Sequence, residues 1–465
     1  MNKAMFEKAT YRSRRAALKK AIGKGVILLA GNEESSMNYR DNLYPFRQDS
    51  SFLYFFGLDR PGLTGCIDID NDQETVYGRE LTMDEIVWTG PQPTLAEQAT
   101  GAGIAETRSV EELSGDIARA RTAGRTIHFL PPYRPENILK LSGWLGIVPG
   151  AVSEKASVPL IRAIVAMRSI KTEEEIVQIE EAVNTTAAMH LAAIKGCRAG
   201  MTEARLAGEL PGIAIGAGGN LSFPTILTVN GQVLHNHYGP TLMQEGRIAI
   251  CDAGAENAMH YAGDMTRTFP VGRQFTALQR EMYDIVLAAQ EAAIEALRPG
   301  VLFRDVHALA SRRLVEGLKA AGVMKGDPEE AVAAGAHTMV FQCGLGHMMG
   351  LDVHDMEDLG EQYVGYTETL VKSKEFGWKS LRLARALEPG FVVTIEPGLY
   401  FIPELMDKFK AEKKFMDFIH YDRLEDLRGF GGIRIEEDFV ITADGSRLLG
   451  KPLAKTADAI EALRG

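Results

Sequence analysis

Three apolar runs in the second half of this sequence each lead directly into an acidic residue. The run 247–251 precedes Asp252, the run 391–395 precedes Glu396, and the run 432–435 precedes Glu436. Short apolar segments rich in β-branched residues are typical of buried strands. The pattern predicts sheets whose strand ends place these three carboxylates around one site.

Two further residues of ligand type lie in glycine-rich stretches. Asp264 follows Gly263, and the residues between Asp252 and Asp264 fit a hairpin. His347 stands in a stretch, 344–355, that is too rich in glycine for a regular helix. An isolated aspartate in a turn is usually a cap, and an isolated buried histidine is usually a hydrogen-bonded core residue. Their glycine neighbours and strand-end positions favour a functional role here.

Four carboxylates and one imidazole form a hard, oxygen-rich ligand set. Such a set can hold two divalent cations, which activate water as a nucleophile at neutral pH. Glu436 is followed by Glu437 and Asp438, and a run of three acids usually marks a solvated face. The surrounding residues are apolar, however, and buried acids without a cation are costly. The sequence therefore predicts a metal-dependent hydrolase.

The chain divides into two predicted domains. A chain of 465 residues exceeds one ordinary core. Residues 1–155 alternate strands, at 25–31, 63–70 and 126–131, with helical patterns, which predicts an α/β domain. The stretch 148–160 lacks helical periodicity, and Thr172 with Glu175 has the capping-box spacing. We expect a second domain over 156–465, in which the charged segment 403–429 forms a lobe or insertion.

Composition excludes several classes of protein. Hydrophobic residues at 45% and charged residues at 24% indicate a globular chain, and a net charge of −11 argues against nucleic acid as a partner. No apolar run reaches the ~20 residues that span a bilayer, and residues 1–24 fit an amphipathic surface helix. Four scattered cysteines argue against a disulfide framework and fit the cytoplasm.

Five blocks of the sequence resemble the pita-bread metallopeptidases, specifically aminopeptidase P and its relative prolidase. In family order, these blocks are residues 44–57, 266–270, 347–355, 395–398 and 432–436. The resemblance extends over nearly the whole chain. It implies an α+β fold with a pita-bread catalytic domain, preceded by a smaller α/β N-terminal domain of the aminopeptidase P type.

The resemblance also implies a ligand set and a cofactor. Two divalent metal ions, usually manganese in this family, would share a hydroxide that attacks the first peptide bond. Asp264 and Glu436 would bridge the ions, Asp252 would complete one site, and His347 with Glu396 the other. Glu396 would also pass a proton to the leaving proline nitrogen, and His354 would stabilise the tetrahedral intermediate.

Substrate contacts follow from the same resemblance. His235 matches the family histidine that contacts substrate near proline, although His237, two residues on, could do so if both lie on one strand. Arg434 would orient a metal carboxylate, and Tyr400 would line the pocket. Trp88 resembles a tryptophan that reaches a neighbouring subunit of a dimer or tetramer. For Trp88 a core or interface role is the alternative.

The sequence departs from the family at two places. Cys343 occupies a position that is commonly histidine in aminopeptidase P. The Asp252–Asp264 spacing and the 403–429 segment are also longer than expected, and both additions fall between ligands where loops absorb them. These departures affect the expected substrate range and substrate length, and leave the expected metal binding unchanged.

The expected activity is release of an N-terminal residue that precedes proline. Prolidase, which cuts Xaa-Pro dipeptides, shares all five ligands and stays an alternative. A methionine aminopeptidase lacks a domain like residues 1–155, and creatinase-like enzymes do not keep this ligand set. A non-catalytic pita-bread binding protein would lack the ligands that this sequence retains.

Overall fold

The computed structural model describes residues 6–465, which form two compact units. One unit contains the chain up to Arg168 together with residues 356–363, and the other contains Ser169–Asp355 and Val364–Gly465. The boundary predicted between residues 155 and 156 stays a prediction. The predicted N-terminal helix is α1, Lys8–Ile22, and the first five residues of the predicted segment lie outside the described residues.

The first unit is built around a five-stranded mixed sheet with strand order β4-β3-β2-β1-β5. Its strands are β1 (Val26–Ala30), β2 (Thr64–Asp68), β3 (Gln73–Gly78), β4 (Glu106–Ser109) and β5 (Ile127–Phe129). Its helices are α1, α2 (Ser50–Phe56), α3 (Met83–Thr89), α4 (Leu95–Gly101), α5 (Val110–Thr122), α6 (Pro135–Leu145) and α7 (Val158–Ser169). The three strands predicted from the sequence are β1, β2 and β5. The parallel pairs β1–β5 and β3–β4 require helical crossovers, which gives the expected α/β character.

The second unit packs helices against several small antiparallel sheets. Its helices are α8 (Glu173–Gly196), α9 (Glu203–Ala207), α10 (Leu210–Gly216), α11 (Ala277–Ala296), α12 (Phe303–Ala320), α13 (Pro328–Ala333), α15 (Pro403–Ala411), α16 (Tyr421–Glu425) and α17 (Ala457–Arg464). The short helix α14 (Glu361–Val364) stands where the chain passes from one unit to the other. The segment 403–429 thus contains α15 and α16.

Ten strands belong to the second unit. They are β6 (Asn220–Leu221), β7 (Ile226–Thr228), β8 (Ile248–Ala253), β9 (Ala255–Glu256), β10 (Met265–Pro270), β11 (Val392–Ile395), β12 (Gly398–Tyr400), β13 (Gly432–Arg434), β14 (Glu437–Ile441) and β15 (Ser446–Leu448). Their sheets are β10-β8-β7, β11-β14-β15, β12-β13 and β6-β9. The core lies between these sheets and the long helices, where Ile250, Phe269, Val286, Leu314 and Ile433 are buried together.

Helix α8 begins at the capping box that the sequence predicts. The Thr172 hydroxyl accepts the backbone N–H of Glu175 at 3.3 Å, and the Glu175 carboxylate accepts the backbone N–H of Thr172 at 3.0 Å. Both groups would otherwise be unsatisfied at a helix start. The box fixes the point at which the chain enters the second unit.

A single backbone contact joins two of the sheets near their strand ends. Thr266 of β10 forms an isolated antiparallel bridge with Glu436, between β13 and β14. This bridge brings strand ends that are distant in sequence to one place. Within residues 6–465, no helix combines the length and apolar character needed to cross a bilayer.

Candidate metal centre

The antiparallel pair β8–β10 holds Asp252 and Asp264 at the same end of one sheet. Asp252 is the penultimate residue of β8 and lies opposite Thr266, and Asp264 immediately precedes β10. The connection is more elaborate than the expected hairpin, because β9 pairs with β6 on the way. At Gly254, a Cβ atom would lie 2.1 Å from the carbonyl oxygen of Gly263. Only glycine permits this close approach of the two backbones.

His347 lies in an irregular segment that runs along the edge of β11. Its N–H donates to Thr394 Oγ1 at 3.2 Å, and its carbonyl accepts the N–H of Thr394 at 3.0 Å. Nδ1 of His347 is 3.1 Å from the Met348 carbonyl oxygen, which fits an Nδ1–H tautomer. Nε2 then faces the acids, at 3.4 Å from Asp264 Oδ2 and 3.8 Å from Glu396 Oε1.

Glu396 and Glu436 enter the same space from two other strand ends. Glu396 directly follows β11, and its backbone N–H donates to the Leu345 carbonyl at 2.8 Å. Glu436 is buried between β13 and β14, and the Thr266 hydroxyl donates to its Oε2 at 2.7 Å. The strand ends therefore position four carboxylates and one imidazole around a shared space.

Burial and mutual repulsion keep protons on these acids when no cation is near. Desolvation, followed by the charge of Asp252, raises the pKa of Asp264 to about 8. Desolvation also raises the pKa of Glu396 to about 8, against the opposing charge of Arg434. The pKa of Glu436 lies well above its usual value, through burial and then the charge of Asp264. A cation at this place would remove the repulsion and release the protons.

The donor atoms fit a hard divalent cation. Ligand atoms of Asp264, His347 and Glu436 all lie within 4.8 Å of one another. Oδ1 of Asp264 is buried and has no hydrogen-bond partner, which is costly for a carboxylate unless a cation satisfies it. Asp252 and Glu396 border the same cavity and offer further oxygen donors.

Arg434 orients Asp252 directly and Glu436 through Thr266. Its Nη2 donates to Asp252 Oδ2 at 2.6 Å, and its Nε donates to the Thr266 hydroxyl at 3.1 Å. Since Thr266 in turn donates to Glu436, one buried guanidinium orients two of the acids. Its Nη1 donates to the Tyr400 hydroxyl at 2.8 Å.

Asp438 is a supporting residue that the sequence did not single out. It is fully buried, and its Oδ2 accepts the backbone N–H of Asp264 at 3.1 Å. Burial and then the charge of Asp264 hold its pKa well above the usual range. The run 436–438 gave the only signal, since three consecutive acids within an apolar strand are unlike a solvated face.

A cavity of about 320 Å³ opens over the acids. His235, His237, His354 and Arg382 line it. His235 and His237 lie in an irregular turn, so the assumption that they share one strand is wrong, yet both reach the cavity wall. The rings of His347 and His354 are tilted by 61° with centroids 4.2 Å apart. Arg382 was not foreseen, because its surrounding sequence carries no motif.

Cys343 lies in the cavity wall and its Sγ is 3.9 Å from the Tyr400 hydroxyl. Burial and then the charge of Glu396 raise the pKa of this thiol to about 12. At neutral pH the group is therefore an uncharged, weakly polar thiol. Tyr400 is fully buried and contacts the lining residues Cys343 and Arg434 rather than lining the cavity itself.

Trp88 belongs to the first unit, on α3. Its side chain is 87% exposed, and no residue of α3 is buried. A core role for Trp88 is therefore wrong, and an interface role stays a prediction.

Comparison with protein families gives two matches in chain order. Residues 11–128 match the aminopeptidase P N-terminal domain, and residues 177–443 match metallopeptidase family M24. The second match alone covers more than half of the chain.

Individual relatives and solved structures agree with these matches. Xaa-Pro aminopeptidase of Escherichia coli K12 is 31% identical, over 97% of both chains. Human Xaa-Pro dipeptidase is also 31% identical, over 94% of this chain and 88% of its own. A solved structure of a variant of Escherichia coli aminopeptidase P in complex with substrate superposes with a TM-score of 0.81 and 29% identity, over 99% of each chain.

Proposed function

Because this chain belongs to metallopeptidase family M24, we propose that it is a metal-dependent exopeptidase that releases the N-terminal residue from peptides with proline in second position. The observation that carries the proposal is the buried cluster of Asp264, His347 and Glu436, whose donor atoms converge within 4.8 Å. The matched N-terminal domain and the Escherichia coli relative support the aminopeptidase assignment.

Five residues would hold the metal: Asp252, Asp264, His347, Glu396 and Glu436. Two divalent ions, with manganese as the proposed species, would polarise the scissile carbonyl and activate water. The oxygen-rich donor set with one imidazole supports a hard or borderline cation rather than a thiolate-binding one. Arg434 holds Asp252 and Thr266 in place, so the carboxylates need no rearrangement during the reaction.

Side chains of the cavity divide the remaining work. Glu396 accepts a proton from the attacking water and passes it to the proline nitrogen. This nitrogen must be protonated because it leaves as a secondary amine when the tertiary amide is cleaved. His354 donates to the oxygen that becomes negatively charged as the carbonyl is attacked. His235 contacts the substrate near proline, and Arg434, which is hydrogen-bonded to the buried Tyr400, forms part of the cavity wall. Burial and then the charge of Arg434 lower the pKa of His235, so at neutral pH its imidazole is uncharged.

The compartment, oligomeric state and partners of the enzyme are proposed from its cysteines, its exposed Trp88 and its net charge. Four free cysteines support a reducing compartment, for which we propose the cytoplasm. The exposed Trp88 supports a homo-oligomer, a dimer or tetramer, in which this side chain reaches a neighbouring copy's pocket. The net charge of −11 supports the absence of a nucleic-acid partner.

A second candidate is a dipeptidase for Xaa-Pro, and one observation favours it. Arg382 places a guanidinium in the wall of the cavity, where it could bind the free carboxylate of a dipeptide. Human Xaa-Pro dipeptidase is as similar in sequence as the bacterial aminopeptidase.

A matched substrate pair separates the candidates. The protein is stripped with a chelator, reloaded with manganese and given Xaa-Pro and Xaa-Pro-Yaa. Cleavage of the tripeptide at the Xaa-Pro bond supports the aminopeptidase, and cleavage of the dipeptide alone supports the dipeptidase. The variant Arg382→Met is expected to lose dipeptide cleavage selectively if the guanidinium binds the proline carboxylate. Failure to cleave either substrate with metal bound would overturn both assignments.

A further inference from the structure

A buried ion pair lies beside the loop 347–355, which carries His347 and His354, and has no part in the reaction described above. Lys171 Nζ is 2.7 Å from Asp355 Oδ2, and the two side chains are 2% and 1% exposed. Lys171 stands just before α8, and its backbone N–H donates to the Gly390 carbonyl at 2.8 Å, directly ahead of β11. The pair therefore joins the start of the second unit to the residue that follows His354.

Asp355 closes the loop 347–355 on itself. Its backbone N–H donates to the Met348 carbonyl at 2.9 Å, and its Oδ1 accepts the N–H of Asp352 at 3.4 Å. Gly350 donates in turn to the Asp352 carbonyl at 3.0 Å. His347 and His354 stand at the two ends of this closed loop.

The ion pair packs directly on the loop backbone. A Cβ atom at Gly350 would lie 2.7 Å from Asp355 Oδ2 and 2.9 Å from Lys171 Cε. The φ angle of Gly350 is not in the left-handed region, so its backbone conformation does not require glycine. Glycine is needed here because a side chain would overlap the ion pair. The carboxylate thus has a fixed position relative to both the ammonium group and the loop.

A buried ion pair contributes little to stability, since desolvation offsets most of the attraction. Its directional hydrogen bonds do fix geometry. The two imidazoles at the ends of the loop 347–355, those of His347 and His354, have ring centroids 4.2 Å apart.

We propose that Lys171, acting through Asp355, is a positioning residue that sets the His354 imidazole at its working distance from His347. The proposal rests on the catalytic role proposed for His354. Displacing a catalytic group by about 1 Å can cost about 100-fold in rate. Loss of the ion pair should therefore lower kcat while leaving the metal ligands in place.

The principal test neutralises both partners together, because Lys171→Met alone would leave a lone buried charge. The double variant Lys171→Met, Asp355→Asn is expected to lower kcat by about 10- to 100-fold, with KM changed less than about threefold. In a His354→Ala background, the same two substitutions should lower kcat by less than about twofold, because neighbours acting through one group are not additive. An equal loss in both backgrounds would overturn the proposal.

A second variant displaces the pair without removing charge. Gly350→Ala forces the Asp355 carboxylate away from its place and should reproduce the loss of kcat. The matched control is Arg464→Met, which removes another buried cation. Arg464 donates to the carbonyls of Val271 and Gly272, which follow the C-terminal end of β10, whereas Asp264 precedes its N-terminal end. The control should lower the melting temperature without lowering kcat.

A spectroscopic measurement separates this proposal from the proposed function. In metal-free protein, the imidazole NMR signals of His354, assigned with His354→Ala, should shift in Gly350→Ala and in the neutralised pair but not in Arg464→Met. This result does not depend on substrate, so it would stand if neither peptide were cleaved. Unchanged His354 signals in both loop variants would overturn the positioning role.

Discussion

Arg434 and Asp252 form a buried ion pair in which Nη2 of the guanidinium lies 2.6 Å from Oδ2 of the carboxylate. The same guanidinium donates to Thr266 and Tyr400, so its planar fork holds three groups at fixed angles. One side chain therefore holds Asp252, Thr266 and Tyr400 in place beside the candidate metal centre.

Arg434→Lys should weaken metal binding, because an ammonium group cannot reach all three partners at once. We expect Asp252 and Thr266 to lose their fixed orientation and the metal dissociation constant to rise by about 10- to 100-fold, the usual cost of losing a group that orients ligands. Isothermal titration with manganese measures this change. Arg447→Lys, at a half-exposed arginine paired with Glu180, is the control and should leave affinity unchanged.

Asp264→Ala should abolish both metal binding and peptidase activity, since this carboxylate faces His347 and shares the metal cluster with Glu436. Wild-type protein should gain about 2.7 kcal/mol of stability at manganese about 100-fold above its dissociation constant, and the variant should gain none. Thermal unfolding with and without manganese measures both. Asp422→Ala, at a fully exposed side chain, should behave as wild type. Full activity in Asp264→Ala would contradict the metal-centre model.

Above about pH 7, where histidines are neutral in the unfolded chain as well, the stability of metal-free protein should fall as pH rises. Asp264 and Glu396 have folded-state pKa values of about 8, whereas unfolded carboxyls titrate near pH ~4. The native state therefore binds more protons, so its stabilisation is complete below about pH 4 and is lost as pH rises through about 8. Chemical unfolding at several values between about pH 7 and about pH 9 tests this sign. At lower pH the buried neutral histidines, His190, His307 and His337, contribute the opposite sign, because burial lowers their pKa. Asp264→Asn should flatten the dependence, and a midpoint that rises with pH would contradict it.

His354→Ala should retain the metal and lose most of kcat, by ~10²–10³ if the imidazole donates to the developing oxyanion. Metal content by elemental analysis and steady-state kinetics measure the two properties separately. His420→Ala, at an exposed histidine that directly precedes α16, provides the control. An unchanged kcat would assign His354 to a structural role.

Trp88→Ala should leave the unfolding midpoint of the isolated subunit unchanged, because the indole is 87% exposed and buries little apolar area. If Trp88 reaches a neighbouring copy, the variant should shift the assembly towards smaller species and raise KM for peptides. Sedimentation velocity and kinetics test these effects, with Val371→Ala at a 77% exposed side chain as the control. An unaltered assembly and KM would remove the interface role.

Much of the fold was predictable because its signals are local. The strand-end acids Glu396 and Glu436, the capping box at Thr172 and the glycine-rich segment around His347 are each visible within a few residues. The α+β class, with an N-terminal domain of the aminopeptidase P type before the catalytic domain, is confirmed by the family matches and the structural superposition.

The unpredicted features depend on contacts between distant segments. Asp438 supports Asp264 across 174 residues, and Lys171 reaches Asp355 across 184. The run of acids 436–438 marks Asp438 as unusual but does not identify its partner, and no local pattern distinguishes Lys171 from a surface charge. Arg382 enters the cavity from a segment without a motif. His237 was an alternative to His235 on the condition that both lie on one strand, whereas neither lies in a regular strand and both line the cavity.

The proposed ligands come from four separate stretches of chain, and the first and last stretches meet at the backbone bridge between Thr266 and Glu436 and at the Arg434–Asp252 ion pair. Contacts of such high sequence separation are entropically costly to close unless the intervening chain is already ordered. The second unit must therefore acquire most of its structure before a complete metal centre exists. A complete site would then form only after synthesis has passed residue 436. The metal that it binds would depend on which ions are available to the folded chain at that stage.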